Sequence, residues 1–357
     1  MSRDPKELPV ADKATLIISL DLELYWGWRD VHSLDTLRER LLRMRSAVAR
    51  ILELFERYQI HATWAAVGLL FFRSREEMLE GRPAVKPEYE DPELSPFESI
   101  ESIGANEEED PFHYGGSLIE TIRGTPHQEI GTHTFAHYYC LERGQTEAAF
   151  RSDLEAAIQV ADRWGLKLRS LVFPRNQVNS EYLGTAHELG IQAYRGAGSQ
   201  WLYRGRKRSE ESLLRRAVRL LDAYVSLSGH HAVAFEEIGL ERPFNFPASR
   251  LLRPYWPALR VFEPLRLARI NSGLEYAARK RRIYHLWFHP EELAMDQDEN
   301  LAVLERVLAR FAILRERGQM ESLHMGELAA RLTALEGEVG PRRGAAVGAP
   351  AASGARC

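Results

Sequence analysis

Two histidines four residues apart close the segment Glu129-Ile130-Gly131-Thr132-His133-Thr134-Phe135-Ala136-His137. On a helix that spacing puts both rings on one face, about one turn apart. Two neutral imidazoles can hold one borderline-soft cation, typically Zn²⁺. A third ligand is at hand in Ser19-Leu20-Asp21-Leu22-Glu23, where two carboxylates stand two positions apart. On a continuing strand they point to the same side. With no base beside them they repel one another unless a cation or a shared proton intervenes. A metal resolves this: one carboxylate ligates the ion, and the other takes a proton from water whose pKa the ion lowers to about 7. Among 12 histidines such a pair alone is a weak signal, and the carboxylates are what strengthen it.

Other residues supply matching chemistry. His289 ends the run Ile283-Tyr284-His285-Leu286-Trp287-Phe288-His289-Pro290. Hydrolysis of an amide requires the departing nitrogen to be protonated, and an imidazole titrating near neutrality suits that task. His285 falls on the same strand face one layer deeper and reads as a buried, hydrogen-bonded core residue. Arg175, in Leu171-Val172-Phe173-Pro174-Arg175-Asn176, can fork onto a carboxylate and keep it ionised. Asn176 can present its amide or its backbone N–H to a substrate oxygen. Trp26, Trp28, Tyr138 and Tyr139 flank these motifs; Trp26 and Tyr138 are candidates for stacking on a sugar ring, though core packing explains such aromatics equally well.

The elements that must position these groups are legible as short apolar runs at Leu16–Leu20, His61–Val67, Glu129–Gly131, Ser170–Phe173 and Ile283–Phe288. Helical spacing lies between them. Leu37, Leu41, Met44, Val48, Ile51, Leu52 and Phe55 trace one amphipathic helix, with similar patterns at Ala148–Trp164, Leu213–Leu227 and Leu301–Leu314. Strand and helix in alternation predict an α/β domain with a parallel sheet or barrel, whose chemistry gathers at the carboxyl ends of the strands. Asp21, Glu23, His133, Arg175 and His289 all fall at such ends.

Two stretches break the pattern. Residues 73–125 are rich in Pro and Glu and acidic; residues 195–282 are basic, with Arg204, Arg206, Lys207, Arg208, Arg215, Arg216 and Arg219 close together. The basic stretch reads either as a solvated helix face answered by the acidic one or as a surface for a phosphate on a nucleotide- or lipid-linked carrier. From Glu336 onward the Gly, Ala, Pro and Arg composition predicts a disordered tail.

Composition narrows the class. Hydrophobic content of 45%, charged content of 27% and a net charge of −4 describe an ordinary globular chain and point away from nucleic acid. No apolar run approaches the roughly 20 residues of a membrane span. The polar start has no secretory signal, and the two cysteines, Cys140 and Cys357, exclude a disulfide framework. Cytoplasm is the expected location.

Taken in order, the blocks resemble the polysaccharide deacetylases (NodB-homology superfamily, carbohydrate esterase family four) over most of Ala14 to Leu335. Asp21-Leu22-Glu23 stands where that family has its paired acids, and His61–Gly68 resembles its second strand. Glu129–His137 is very close to its metal-binding motif. Leu286-Trp287-Phe288-His289 looks like its final histidine motif, and His324–Leu328 like its closing helix start. The resemblance implies a distorted (β/α) barrel of about seven strands forming one domain over residues 14–335, with a lead at 1–13, insertions at about 73–125 and 195–282, and a tail at 336–357. It further implies one divalent metal ion, most simply Zn²⁺, and removal of an N-acetyl group from an acetamido sugar in surface-polysaccharide biosynthesis. Carried over by position, Asp21 is the base, Glu23, His133 and His137 hold the metal, and His289 is the acid. The chain departs from the pattern at three places. Glu23 replaces the more usual aspartate, and the arginine follows Pro174 instead of preceding it. No counterpart stands out for the aspartate that orients the catalytic histidine; Glu236 and Glu237 are substitutes, and Asp222 a weaker one. Deformylation, or hydrolysis of another C–N amide, is the alternative chemistry; a catalytically silent glycan- or partner-binding relative is the alternative class.

Overall fold

A computed structural model describes residues 12–196 and 213–339. Among them nine strands form one sheet in which every named pair is parallel. They are β1 (Ala14–Leu22), β2 (Ala62–Ala66), β3 (Gln128–Thr132), β4 (Ser170–Val172), β5 (Ala193–Arg195), β6 (Phe244–Asn245), β7 (Arg250–Leu251), β8 (Ile283–Phe288) and β9 (Met320–Ser322). Eight run in the order β6-β5-β4-β3-β2-β1-β8-β7, and β9 pairs with the start of β1. About seven were expected; β6, β7 and β9 have only two or three residues each, too few to leave a period in the sequence.

One segment joins the two ends of the curl. Phe246 and Ala248 donate their N–H groups to the carbonyls of Tyr194 and Gly196 beyond β5, and Ser249 and Leu252 donate to those of His285 and Trp287 on β8. The result is a distorted barrel.

Alternation along β1 sorts its side chains. Leu16, Ile18, Leu20 and Leu22 face outward into the main apolar core under the helices. Ile17 faces inward and joins Phe244, Phe246 and Ile283 in a second apolar cluster at the barrel floor. Full burial of each such side chain stabilises the fold by about 1.5–3 kcal/mol. Ser19 and Asp21 stand above that floor, so the barrel grades from apolar at the amino ends of its strands to charged at the carboxyl ends.

The helices are α1 (Leu34–Tyr58), α2 (Arg75–Glu80), α3 (Gly116–Gly124), α4 (Glu147–Arg163), α5 (Leu183–Glu188), α6 (Leu213–Asp222), α7 (Glu263–Lys280), α8 (Gln297–Glu316) and α9 (Met325–Val339). Helix α1 buries Leu37, Leu41, Met44, Val48, Ile51, Leu52 and Phe55, the stripe read from the sequence. The acidic 73–125 stretch joins the same core through Ile100, Phe112, Tyr114 and Leu118. The helix expected over Leu213–Leu227 stops at Asp222, whose carboxylate accepts the N–H groups of Leu227 and Ser228 and turns the chain. Arg204, Arg206, Lys207 and Arg208 lie outside the described residues. Helix α9 carries regular structure past Glu336 to Val339, beyond the expected start of the tail; residues 340–357 lie outside the described residues. Among the described residues no helix is long and apolar enough to cross a membrane.

Helix α9 closes the bottom of the barrel. Met325, Leu328, Ala329 and Leu332 enter the floor cluster, while its first N–H groups find buried acceptors. Met325 donates to Thr63 Oγ1 at 2.9 Å and Gly326 to Glu129 Oε2 at 3.1 Å. Thr63 and Ser170 donate to the two oxygens of Glu129, and His324 Nδ1 lies 3.1 Å from Oε2.

Candidate metal centre and active site

The carboxyl ends of β1, β3, β4 and β8 converge on one cavity of about 200 Å³, whose wall includes Asp21, Glu23, His137, Arg175, Asn176 and His289. Backbone conformation marks the same place. Ten non-glycine residues among those described have positive φ, and five of them follow these strand ends: Leu24, Thr134, His137, Arg175 and Asn176. Left-handed backbone at non-glycine residues costs free energy and persists where the surroundings over-determine it, commonly at functional sites.

Glu23 and His133 meet first. Glu23 Oε1 lies 2.8 Å from His133 Nε2 and 3.4 Å from His137 Nε2. The three offer ligand atoms that all lie within 4.8 Å of one another. The histidine pair is not helical as its spacing predicted. His133 and His137 sit in the loop after β3, and positive φ at Thr134 and His137 folds that loop so that both rings face Glu23. Asp153 on α4 pins the loop from behind, accepting the N–H groups of Phe135 at 2.7 Å and Ala136 at 3.1 Å. Gly68 donates its N–H to the Thr134 carbonyl. Gly27 leaves the space that Glu23 fills, since a Cβ there would collide with the Glu23 carboxylate.

The donor chemistry fits a divalent cation. Nδ1 of His133 and Nδ1 of His137 are buried and make no hydrogen bond among the described residues, while both Nε2 atoms face Glu23. Buried polar atoms left in that state cost free energy that a ligand removes. Burial holds the His137 ring below the usual histidine range, in the neutral form that ligates. Burial opposes charge on Glu23, but His137 and His289 outweigh it and hold the carboxyl well below its ordinary value. One carboxylate oxygen and two imidazoles make a set that suits zinc.

Asp21 is held differently. Arg195, at the end of β5, forks onto it with Nη1–Oδ1 at 2.6 Å and Nη2–Oδ2 at 2.7 Å, both side chains being buried. Burial alone would raise the Asp21 carboxyl; the guanidinium and His133 bring it below the ordinary range. Arg195 also donates to Ser19 Oγ at 3.1 Å and Asn176 Oδ1 at 3.3 Å, and its guanidinium lies 4.2 Å from the centre of the Trp287 ring. Ser19 Oγ reaches His285 Nε2 at 2.8 Å, and His285 Nδ1 donates to the Phe246 carbonyl at 2.9 Å. Burial and the nearby Arg195 push His285 down to about 3, so it is the neutral core residue its position predicted.

The sequence reading assigned the fork to Arg175. The structure pairs Arg175 with Asp30 and lays its guanidinium over the Tyr139 ring, 4.6 Å from the centre. Arg175 does line the cavity, but its backbone turns at positive φ and its side chain is engaged by Asp30 and Tyr139 instead of Asp21. Arg195 was missed because β5 has only three residues. The available signal was the same as at Arg175: an arginine closing a short apolar run, Ile191-Gln192-Ala193-Tyr194-Arg195.

His289 Nε2 stands 3.7 Å from Asp21 Oδ2 and 3.7 Å from Glu23 Oε1. Its other nitrogen, Nδ1, lies 3.3 Å from Glu292 Oε2. Burial disfavours the charged ring, yet Glu23, Glu292 and Asp21 together hold it well above the usual histidine range. The partner is therefore Glu292, three residues on in the 3-10 turn Pro290–Leu293. Glu236 and Glu237 are exposed, with Glu237 paired to Arg282, and Asp222 is engaged by Arg250; none of the three faces His289. The adjacent Glu291 accepts Trp28 Nε1–H at 2.8 Å, and burial pushes its carboxyl up to about 8.

Of the aromatic candidates, Trp26 and Tyr138 belong to the core. Trp26 is buried with its N–H on the His113 carbonyl, and the Tyr138 hydroxyl donates to the Thr146 carbonyl. Trp28 and Trp287 line the cavity instead, both set edge-on to His289. Asn176 lines it as expected.

The sequence matches no family model and no curated protein. Solved structures match in fold. One described as a polysaccharide deacetylase from Mycobacterium smegmatis superimposes with a TM-score of 0.55 at 13% identity, over 97% of this chain and 100% of that one. Puue allantoinase gives 0.52 at 12%, over 90% of each chain. A structure described as a polysaccharide deacetylase from Pseudomonas aeruginosa PAO1 gives 0.52 at 12%, over 90% of this chain and 91% of that one. At such identities likeness speaks for architecture alone: the chain has the fold of these polysaccharide deacetylase and allantoinase structures.

Proposed function

We propose that this protein is a metal-dependent hydrolase that removes the N-acetyl group of an acetamido sugar. The observation that carries the reading is the Glu23–His133–His137 donor set with Asp21 on one side, forked by Arg195, and His289 on the other. A divalent ion held by Glu23, His133 and His137 would polarise the acetyl carbonyl and make water a stronger acid.

The chain's own groups divide the remaining work. Asp21, kept ionised by Arg195, accepts a proton from the attacking water as its oxygen bonds to the acetyl carbon. His289, kept charged by Glu23, Glu292 and Asp21, donates a proton to the nitrogen as the C–N bond breaks. Acetate and a free amino sugar leave. Trp28 and Trp287 offer apolar walls for the acyl group or the sugar ring. Surface-glycan biosynthesis on a small or carrier-linked substrate is the setting this reading favours.

Likeness to an allantoinase keeps hydrolysis of another C–N amide as the second reading. One experiment decides between the classes. The purified protein should hold about one equivalent of zinc or a similar divalent ion, lost in His133→Ala, and should release acetate from N-acetylated amino sugars. Formate or ring-opened product in place of acetate would replace the acyl assignment. A protein that cannot be loaded with metal would leave a binding role.

A further inference from the structure

Glu23 belongs to two donor groups. Besides the set with His133 and His137, it forms a second with Asp21 and His289, whose ligand atoms also lie within 4.8 Å of one another. His289 Nε2 stands 3.7 Å from Asp21 Oδ2 and 3.7 Å from Glu23 Oε1. Those distances are too long for hydrogen bonds. They come close to the roughly 3.3–3.6 Å between two donors on a four-coordinate zinc, whose bonds run about 2.0–2.2 Å.

The donors are held ready for an ion. His289 Nδ1 lies 3.3 Å from Glu292 Oε2, so one carboxylate holds the ring on its far side while Nε2 faces Asp21 and Glu23. Histidines that ligate metals are commonly oriented in this manner. The fork from Arg195 takes one acceptor position on each oxygen of Asp21, and an ionised carboxylate offers about four. Asp21 and Glu23 are buried, His289 is largely so, and all three line the same cavity.

We propose that Asp21, Glu23 and His289 form a second, weaker site for a divalent cation, and that an excess of zinc or a similar ion shuts the protein down by filling it. The ion displaces the Nε2 proton of His289 to solvent and takes an oxygen of Asp21. Those are the two groups that give and accept protons in the proposed hydrolysis, so the regulatory part rests on that reading, whereas the site itself does not. Two positive charges keep the affinity low: an ion on Glu23, His133 and His137 shares the Glu23 carboxylate, and Arg195 stands against Asp21. Their repulsion leaves the site unfilled until free zinc is about 10³-fold above the level that fills the first.

Equilibrium dialysis of the full chain against zinc, with bound metal read by mass spectrometry, is the test. The wild type is expected to take one equivalent at low free zinc and a second only in large excess, with acetate release rising at the first and falling at the second. His289→Ala should keep the first equivalent and lose the second. Glu292→Gln is milder, leaves Nε2 in place, and should weaken the second about tenfold or more without moving the first. Circular dichroism checks that both variants are folded. A single equivalent at every concentration, or a second that persists unweakened in both variants, would overturn the site and leave the deacetylase reading standing. Two equivalents with no acetate released at the first would overturn that reading and keep the site. No bound zinc at all would overturn both.

Discussion

At the scale of residues, the site depends on two carboxylates that burial alone would neutralise and that neighbours keep ionised for different purposes. Glu23 keeps its charge beside imidazoles, and Asp21 keeps its charge through the fork from Arg195. Lysine at position 195 would preserve the charge and lose the fork, letting Asp21 rotate. We expect Arg195→Lys to lower kcat for acetate release about 10²-fold, while Arg175→Lys, whose partner is Asp30, costs much less. Equal losses in the two variants would mean that the fork does not orient the base. His289 makes a separate prediction. A raised pKa keeps it protonated, and activity fades only as pH climbs through that raised value. Glu292→Gln removes one of the anions that raise it, so the alkaline limb of the kcat profile should move to lower pH while the acid limb stays. An unmoved limb would assign the titration to another group.

At the scale of elements, what could be read in advance tracks element length. Strands β1, β2, β3 and β8 have five to nine residues and showed as apolar runs, so the groups at their ends were placed correctly. Strand β5 has three, and with it Arg195 went unread. The His133–His137 spacing predicted a shared helix face, and the structure brings both rings to Glu23 from a loop instead, since a helix and a loop with two left-handed residues can present the same two rings. Glu292 is only three residues from His289, in the turn that follows β8, whereas the acids expected to orient that ring, Glu236, Glu237 and Asp222, are distant in sequence. The latch under the barrel, where His324 meets Glu129 and Glu327 against α9, belongs to no motif of the site and titrates on its own. Burial opposes charge on His324, and the Glu129 and Glu327 carboxylates raise it above the usual range; the same contacts, His61 included, lower Glu129 and Glu327. The histidine's contribution is complete below its unfolded pKa of about 6.5 and is lost as pH rises through its raised folded value. The carboxylates' contribution is complete above about 4.3 and is lost as pH falls through their depressed values. Thermal midpoints should therefore decline on both sides of a plateau, and His324→Gln should flatten the alkaline decline. A variant that melts along the wild-type curve at every pH would exclude the latch.

At the scale of the whole molecule, the barrel is graded from an apolar floor to a charged mouth, and the two ends are stabilised by opposite means. The floor is filled by side chains of β1, β6, β8 and α9 and is complete in itself. The mouth is not: it gathers Glu23 from β1 and two histidines from the loop after β3, with buried nitrogens lacking hydrogen bonds among the described residues. A cation bound there links the carboxyl ends of two strands across β2, which lies between them. Ligand binding to the folded state alone adds RT ln(1 + [L]/Kd), about 2.7 kcal/mol at a hundredfold excess over Kd. For a domain of this size that is a rise of a few degrees in melting temperature. Chelator should remove the rise, zinc should restore it, and His133→Ala should melt at one temperature with or without zinc. The substitution removes a buried Nδ1 that makes no hydrogen bond among the described residues together with the Nε2 that faces Glu23, so the comparison is made on the zinc-dependent shift within each protein. Were zinc to raise the melting temperature of His133→Ala as much as that of the wild type, the ion would be binding elsewhere. The Glu23–His133–His137 set would then be a buried ion pair and not a metal centre.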